Sequence, residues 1–214
     1  MSQFVKLPPF RLYRELEPDE HICIFGDPAE SNDYCAAVGM SKKHADTPIV
    51  FNERIESSQF GHELYHIAKY VEMRTHIWPT MAIERNTGQA TIYVLTTLNY
   101  PEMFRMRIFD KPGVNQSEKI GWTTTEGSRK KMLDDMALAI RQGAIIIYDK
   151  QIIDQMRAFV VNRRGKPVAE ANKKDDLVIA TAGAYQAYML TPTRDTQESY
   201  LSDWKEEREK WRFK

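Results

Sequence analysis

Four carboxylates are the residues of this chain whose type and position could do chemistry: Asp27, Glu84, Asp175 and Asp176. Asp27 closes a short apolar run, Ile22 to Phe25, that stops abruptly in Gly26-Asp27-Pro28. A carboxylate at the end of a buried strand, with no basic residue beside it, is costly unless something positive compensates it. A metal ion is the simplest compensation, and capping of the following turn is the alternative. Glu84 ends a second strand-like stretch, Thr80 to Arg85, and Asp175-Asp176 stand where the last long helix begins. Acidic residues at helix starts are common, so each position alone is a weak signal. Carboxylates that converge are hard oxygen ligands suited to Mg²⁺ or Mn²⁺. Asp33 lies in the turn Glu30 to Asp33, where local hydrogen bonding is its expected role.

A second pattern competes. His62-Glu63-Leu64-Tyr65-His66 satisfies HExxH, in which two histidines one helical turn apart bind zinc and the glutamate acts as a base. Phe60, Leu64, Ile67 and Val71 form the apolar stripe of that helix, so both histidines are expected on its wet side. The metzincin continuation requires a glycine and a third histidine, and Lys69 and Glu72 stand there instead. A zinc peptidase built on His62, Glu63 and His66 is therefore a remote reading.

The elements that must position the carboxylates follow from periodicity. Ile22–Phe25 and Tyr34–Met40 read as a hairpin, and Pro48 to Ile55 adds a third strand, giving an antiparallel three-strand meander. A helix follows from Ser57 or Ser58, with Phe60, Leu64, Ile67, Ala68 and Val71 inward. The strand 80–85 and a helix from Ala90 to Leu98 come next, so the class is α/β. Phe104 to Asp110 and Glu118 to Thr123 flank a turn and form an extra β-hairpin. A helix over 126–142 should bury Met132, Leu133, Met136, Ala137 and Ile140, with Ala144 to Tyr148 as a short buried strand and 150–159 as a short helix. Arg163 to Lys174 reads as a basic loop delivering the chain to a helix that runs to about Leu190. Asp176, Ala180, Gly183 and Ala187 share one face of it, and such small residues would let it lie close on the sheet; Asp175 would point aside.

At 214 residues the chain is long enough for one large core. Residues 1–20 are expected as a lead-in or linker, 21–191 as the folded domain, and 192–214 as an amphipathic tail bearing Leu201, Trp204 and Trp211. No apolar run reaches the roughly 18 residues that span a bilayer, which with the absence of a signal-peptide pattern suggests a cytosolic protein and no membrane partner. Cys23 and Cys35 are expected as buried thiols. Formal net charge is zero, but Arg129-Lys130-Lys131 and the run Arg157, Arg163, Arg164, Lys166, Lys173, Lys174 concentrate positive charge beside the acidic positions. Such patches suit a phosphate backbone. There is no GxxxxGK[ST] phosphate loop, which excludes a P-loop ATPase within this sequence.

Taken together, FGDPAESNDYCAAVGM, AIERNTG and KKDDLVIATAGAY, with KIGWTTTEGSRKKML between the last two, make the chain resemble the RNase H-like nuclease domain of the large terminase subunit of tailed bacteriophages, over residues 20–190. One departure is Lys174, where the family commonly has a histidine or a small residue before the acidic pair. The resemblance implies an RNase H-like fold: a central mixed sheet that begins with the meander, helices on both faces, and the extra hairpin. It implies a divalent-metal endonuclease that cuts concatemeric double-stranded DNA during genome packaging, using two Mg²⁺ or Mn²⁺ ions. Asp27 would bridge both ions, Glu84 would hold one and Asp176 the other, with Asp175 in support. Arg129, Lys130, Lys173 and Lys174 would contact phosphates, and Arg105 and Arg107 are placed to reach the same DNA. Implied partners are the packaging ATPase domain of the same subunit, the small terminase subunit and the portal, in the cytoplasm of the infected host. Another RNase H-like nuclease, such as a junction resolvase or a transposase, and a non-catalytic docking domain are the alternatives.

Overall fold

The structure is a computed structural model, and it describes residues 10–29, 34–111, 114–161, 167–169 and 174–192. Its centre is a five-stranded sheet in the order β1-β4-β3-β2-β5. The strands are β1 (Arg11–Leu12), β2 (Ile22–Asp27), β3 (Cys35–Ser41), β4 (Ile49–Glu53) and β5 (Thr80–Ile83). The expected meander is present: β2 pairs antiparallel with β3, and β3 with β4. β5 adds parallel to β2, with Gly26 opposite Ile83, so the sheet is mixed and the ends of both strands lie at one edge.

Strand alternation divides the core in two, because successive side chains point to opposite faces. Ile22, Ile24, Ala37, Ile49 and Phe51 face α1 (Ser57–Thr75) and α2 (Gln89–Thr97), where Phe60, Leu64, Ile67, Ala68 and Val71 supply the helix stripe. Cys23, Phe25, Val38 and Met40 face the other way, onto α3 (Glu126–Arg141) and α5 (Asp176–Leu190). Helices therefore cover both faces. Both cysteines are buried thiols, neither in a disulfide among the described residues.

α5 lies unusually close to the sheet, as its small residues led us to expect. A Cβ on Gly183 would sit 2.4 Å from Cγ of Phe25, nearer than any real contact, so only glycine allows this approach. That closeness carries the first turn of α5 to the end of β2.

The extra hairpin is β6 (Arg105–Lys111) with β7 (Val114–Ile120). Its two legs run along the free edge of β5: Met81 N donates to Glu102 O at 2.8 Å, Phe104 N to Met81 O at 2.8 Å, and Trp122 N to Ile83 O at 2.7 Å.

Elsewhere the chain departs from what its periodicity suggested. In α3 it is Ala139 that is buried, while Ile140 is 40% exposed. Ala144 to Tyr148 is not a buried strand. It makes one bridge, Ile146 to Asp46, against the turn between β3 and β4, and Ile146 and Tyr148 remain exposed. α4 (Lys150–Arg157) starts at Asp149, whose carboxylate accepts from Gln151 N at 2.6 Å and Ile152 N at 3.1 Å. Phe159 then leaves the helix for a short hairpin, β8 (Phe159–Val161) with β9 (Pro167–Ala169), inside the stretch read as a helix end and a loop. Residues 10–20, read as a lead-in, contribute β1, which pairs with β4. The turn with Asp33, the basic residues Arg163, Arg164, Lys166 and Lys173, and the tail beyond Pro192 lie outside the described residues.

Candidate metal centre

β2 and β5 deliver two carboxylates side by side. Because Gly26 is opposite Ile83, the next residues along the parallel pair are Asp27 and Glu84, and Glu84 N donates to Gly26 O at 2.8 Å. The backbone at Glu84 is bracketed on its other side by Trp122: Trp122 N donates to Ile83 O and Arg85 N donates to Trp122 O, each at 2.7 Å. The stretch Gly-Trp-Thr-Thr thus serves as a support strand for Glu84. Glu84 is buried at 6% exposure, and its Oε2 accepts from Thr87 N at 3.1 Å and Thr87 Oγ1 at 3.0 Å.

The start of α5 completes the group. Asp175 is the N-cap residue and Asp176 the first helical residue. The Asp175 side chain makes no cap bond; instead the Gln155 side chain from α4 accepts from Leu177 N at 2.9 Å. Asp175 was expected to point aside. It turns to α3, where Arg129 Nη2 meets its Oδ2 at 2.7 Å, and both residues act on Asp27 electrostatically.

Those charges show in Asp27. Burial first, then the negative charges of Glu84 and Asp176, push its carboxyl up to about 8; Arg129 opposes the rise and Asp175 adds to it. Like charges gathered in a poorly hydrated place disfavour ionisation, and a cation restores it. The donors are all hard oxygens, the set suited to Mg²⁺ or Mn²⁺. The residues present therefore fit a divalent ion. Among the described residues, no group of three or more His, Cys, Asp or Glu stands together so as to hold a metal ion, so the fit is one of donor chemistry.

The expected DNA contacts fall in different places. Arg129 is inside the carboxylate group. Lys130 pairs with Asp134 on the exposed side of α3. Lys174 is exposed and stacks its Nζ 3.5 Å from the centre of the Tyr34 ring, beside Asp175 in the chain. Arg105 lies with Thr96, Asn99 and Ile120 on the α2 side of the hairpin, and Arg107 pairs with Glu118 at 3.4 Å. Lys173 lies outside the described residues. His62 and His66 are on the exposed side of α1, with His66 Nδ1 3.8 Å from Glu63 Oε2.

Sequence reasoning did not find Thr87 or Gln155. Thr87 had a signal, a hydroxyl three residues after a strand-end glutamate in a turn ending in glycine. Gln155 had none, because its partner is distant in sequence.

No family model matches the sequence, and no curated protein matches it. Solved structures do. The large terminase nuclease from thermophilic phage G20c matches with a TM-score of 0.62 at 17% identity, over 85% of this chain and 89% of that one. The same nuclease with bound magnesium gives 0.63 at 16% identity, over 85% and 88%. The nuclease domain of the Thermus phage P74-26 large terminase gives 0.61 at 17% identity, over 87% and 90%. At these identities the likeness is one of fold, and the RNase H-like fold is the one this chain has.

Proposed function

We propose that this chain is a divalent-metal endonuclease domain of the terminase type, cutting concatemeric double-stranded DNA during phage genome packaging. The observation that carries the reading is the buried Asp27 at the end of β2, whose ionisation is held back by burial and by the charges of Glu84, at the end of the parallel strand, and of Asp176 and Asp175, at the start of α5. The likeness of fold to phage terminase nucleases, one of them with bound magnesium, supports it.

Asp27 would bridge two Mg²⁺ or Mn²⁺ ions, Glu84 would hold one and Asp176 the other, with Asp175 supporting the site. Such ions supply an activated water and charge stabilisation on the leaving oxygen of a phosphodiester. The chain's own residues set where that happens. β2 and β5 fix the Asp27–Glu84 pair, and the α5 N-terminus brings Asp176 to it. Asp27 would give up its proton on metal binding, a positive charge there offsetting the burial and the neighbouring carboxylates that raise its pKa. Arg129 keeps the remaining negative charge in balance and, with Lys130, Lys173 and Lys174, offers contacts to phosphates that carry no sequence information. Arg105 and Arg107 would add contacts to the same DNA from the hairpin.

In this reading the partners are the DNA, the packaging ATPase domain of the same subunit, the small terminase subunit and the portal. The setting is the cytoplasm of the infected bacterium. Among the described residues no helix is long and apolar enough to cross a membrane.

Conversion of supercoiled plasmid to nicked and linear forms tests the proposal, with Mn²⁺, Mg²⁺, Zn²⁺ or EDTA. Cutting should require Mn²⁺ or Mg²⁺, fall by at least about 100-fold in Asp27→Ala and Asp176→Ala, and survive His66→Ala. A folded parent that cuts under none of these ions would overturn it.

A further inference from the structure

We infer that Thr87 is a positioning residue for the metal site, committing one oxygen of Glu84 and leaving Oε1 as the single atom available to an ion. The inference rests on the metal-nuclease reading above and deepens it.

Both hydrogen-bond donors of Thr87 are spent on the same atom. Its backbone N–H and its hydroxyl donate to Oε2 of Glu84, at 3.1 and 3.0 Å, from three residues further along the chain. Two donors on one carboxylate oxygen fix the rotation of the carboxylate plane as well as its position, because a rotation that satisfied one would break the other. A carboxylate held this way binds an ion through one oxygen, and the ion's site is defined before it arrives.

The turn that presents Thr87 is itself locked. A Cβ on Gly88 would fall 2.1 Å from Glu84 O, 2.7 Å from Ile83 Cγ2 and 3.1 Å from Pro28 Cγ, so the turn closes tightly on Glu84 and against the residue after Asp27. Asn86 Nδ2 donates to Thr124 O at 2.7 Å, which ties the turn to the segment leading into α3. Thr87 therefore cannot drift away from Glu84 without moving the loops that follow both strands. The tight packing of the turn is at Gly88, and it does not need the Thr87 hydroxyl. That difference separates a positioning role from a structural one.

The test uses Thr87→Val, which keeps shape and the backbone donor but loses the hydroxyl, and Thr87→Ser, which keeps the hydroxyl. Mn²⁺ binding is read by titration calorimetry, melting temperature in EDTA reports the fold, and plasmid cutting is followed against Mn²⁺ concentration. Loss of a partner that orients a ligand typically weakens metal affinity about 10-fold or more. Thr87→Val should bind Mn²⁺ about 10-fold more weakly and need correspondingly more Mn²⁺ for half-maximal cutting, at an unchanged melting temperature in EDTA. Thr87→Ser should restore the parent's affinity.

Equal Mn²⁺ affinity in parent and Thr87→Val overturns the inference alone. So does a Thr87→Val protein whose weaker binding is matched by Thr87→Ser. A parent that binds Mn²⁺ without cutting DNA overturns the nuclease reading and leaves Thr87 in its role. A parent that binds no divalent ion overturns both.

Discussion

Asp27 is the residue on which the reading turns, and its protonation makes a prediction that needs no substrate. Its carboxyl is held up at about 8, chiefly by burial and then by Glu84 and Asp176, against an ordinary value of 3.8. A carboxyl raised in the folded state favours folding while it keeps its proton. The contribution is complete below the unfolded value and is lost as pH rises through the folded one, so the loss accumulates between about pH 4 and 8. In EDTA, Asp27→Asn should therefore melt increasingly above the parent as pH rises across that window. The gap should level off above about pH 8, at a size on the order of a few kcal/mol. Adding Mn²⁺ should raise the parent's melting temperature and leave that of Asp27→Asn almost unmoved. A gap that stays constant across the range would remove the carboxylate repulsion from the account. The residue itself was legible in the sequence, because a strand-end acid with no neighbouring base signals an unmet charge. Arg129 as its counter-charge was not, because the two are brought together only when α3 packs against α5 and the sheet.

At the scale of elements, α5 is the part that was read correctly for a physical reason, and that reason can be measured. Its stripe of small residues indicated close approach to a sheet, and the structure shows Gly183 resting on the Phe25 ring. Gly183→Ala would push a methyl group into that ring and lift the helix that carries Asp176. Overpacking of this kind costs about 1–3 kcal/mol, which for a domain of this size lowers the melting temperature by roughly 2–10 °C. Cutting should fall along with stability, and Phe25→Leu added to Gly183→Ala should recover part of both, a coupling that a double-mutant cycle isolates. Independent, additive effects would show that the helix does not bear on the strand in this way. The elements that escaped reading are short or decided by distant contacts. β8 and β9 are three residues each, too few for a period to register. Ala144 to Tyr148 has the apolar, β-branched look of a strand, yet among the described residues its β-bridge is to the Asp46 turn alone. Propensity proposes a strand; the neighbouring edge decides whether there is one.

For the molecule as a whole, the end of the sheet opposite the carboxylate group is held by buried ions of its own. Glu20, Asp46 and Asp149 are almost fully buried, at 0%, 2% and 1% exposure. Arg14 serves two of them: Nε reaches Asp46 Oδ2 at 2.6 Å, Nη2 reaches Asp46 Oδ1 at 2.8 Å, and the guanidinium also pairs with Glu20. Arg11 and Tyr13 hold Asp149 at 2.8 and 2.6 Å. The amino-terminal arm is thus part of the fold's electrostatics. Burial alone would raise Glu20 and Asp149, but their arginine, tyrosine and backbone partners bring both below the usual carboxylate range. Their contribution is present above the unfolded values and fades as pH falls through the folded ones, the reverse of Asp27. In EDTA the chain is therefore squeezed from both sides, with greatest stability near pH 4–5, about where the two limbs meet. Removing the Arg14 charge with Arg14→Met strands two buried carboxylates and should cost about 3–5 kcal/mol at neutral pH. Lys43→Met removes a cation from an exposed, solvent-screened pair with Glu17, where the loss should be far smaller. Urea unfolding at pH 7, with unchanged dependence on urea, measures both. Equal costs for the two substitutions would mean that the arm only drapes over the sheet and does not neutralise it. If the expected difference appears, Asp27→Asn should shift the stability maximum towards neutral pH without touching the acid limb, since among the described residues the two ends of the sheet share no charged partner and their effects should add.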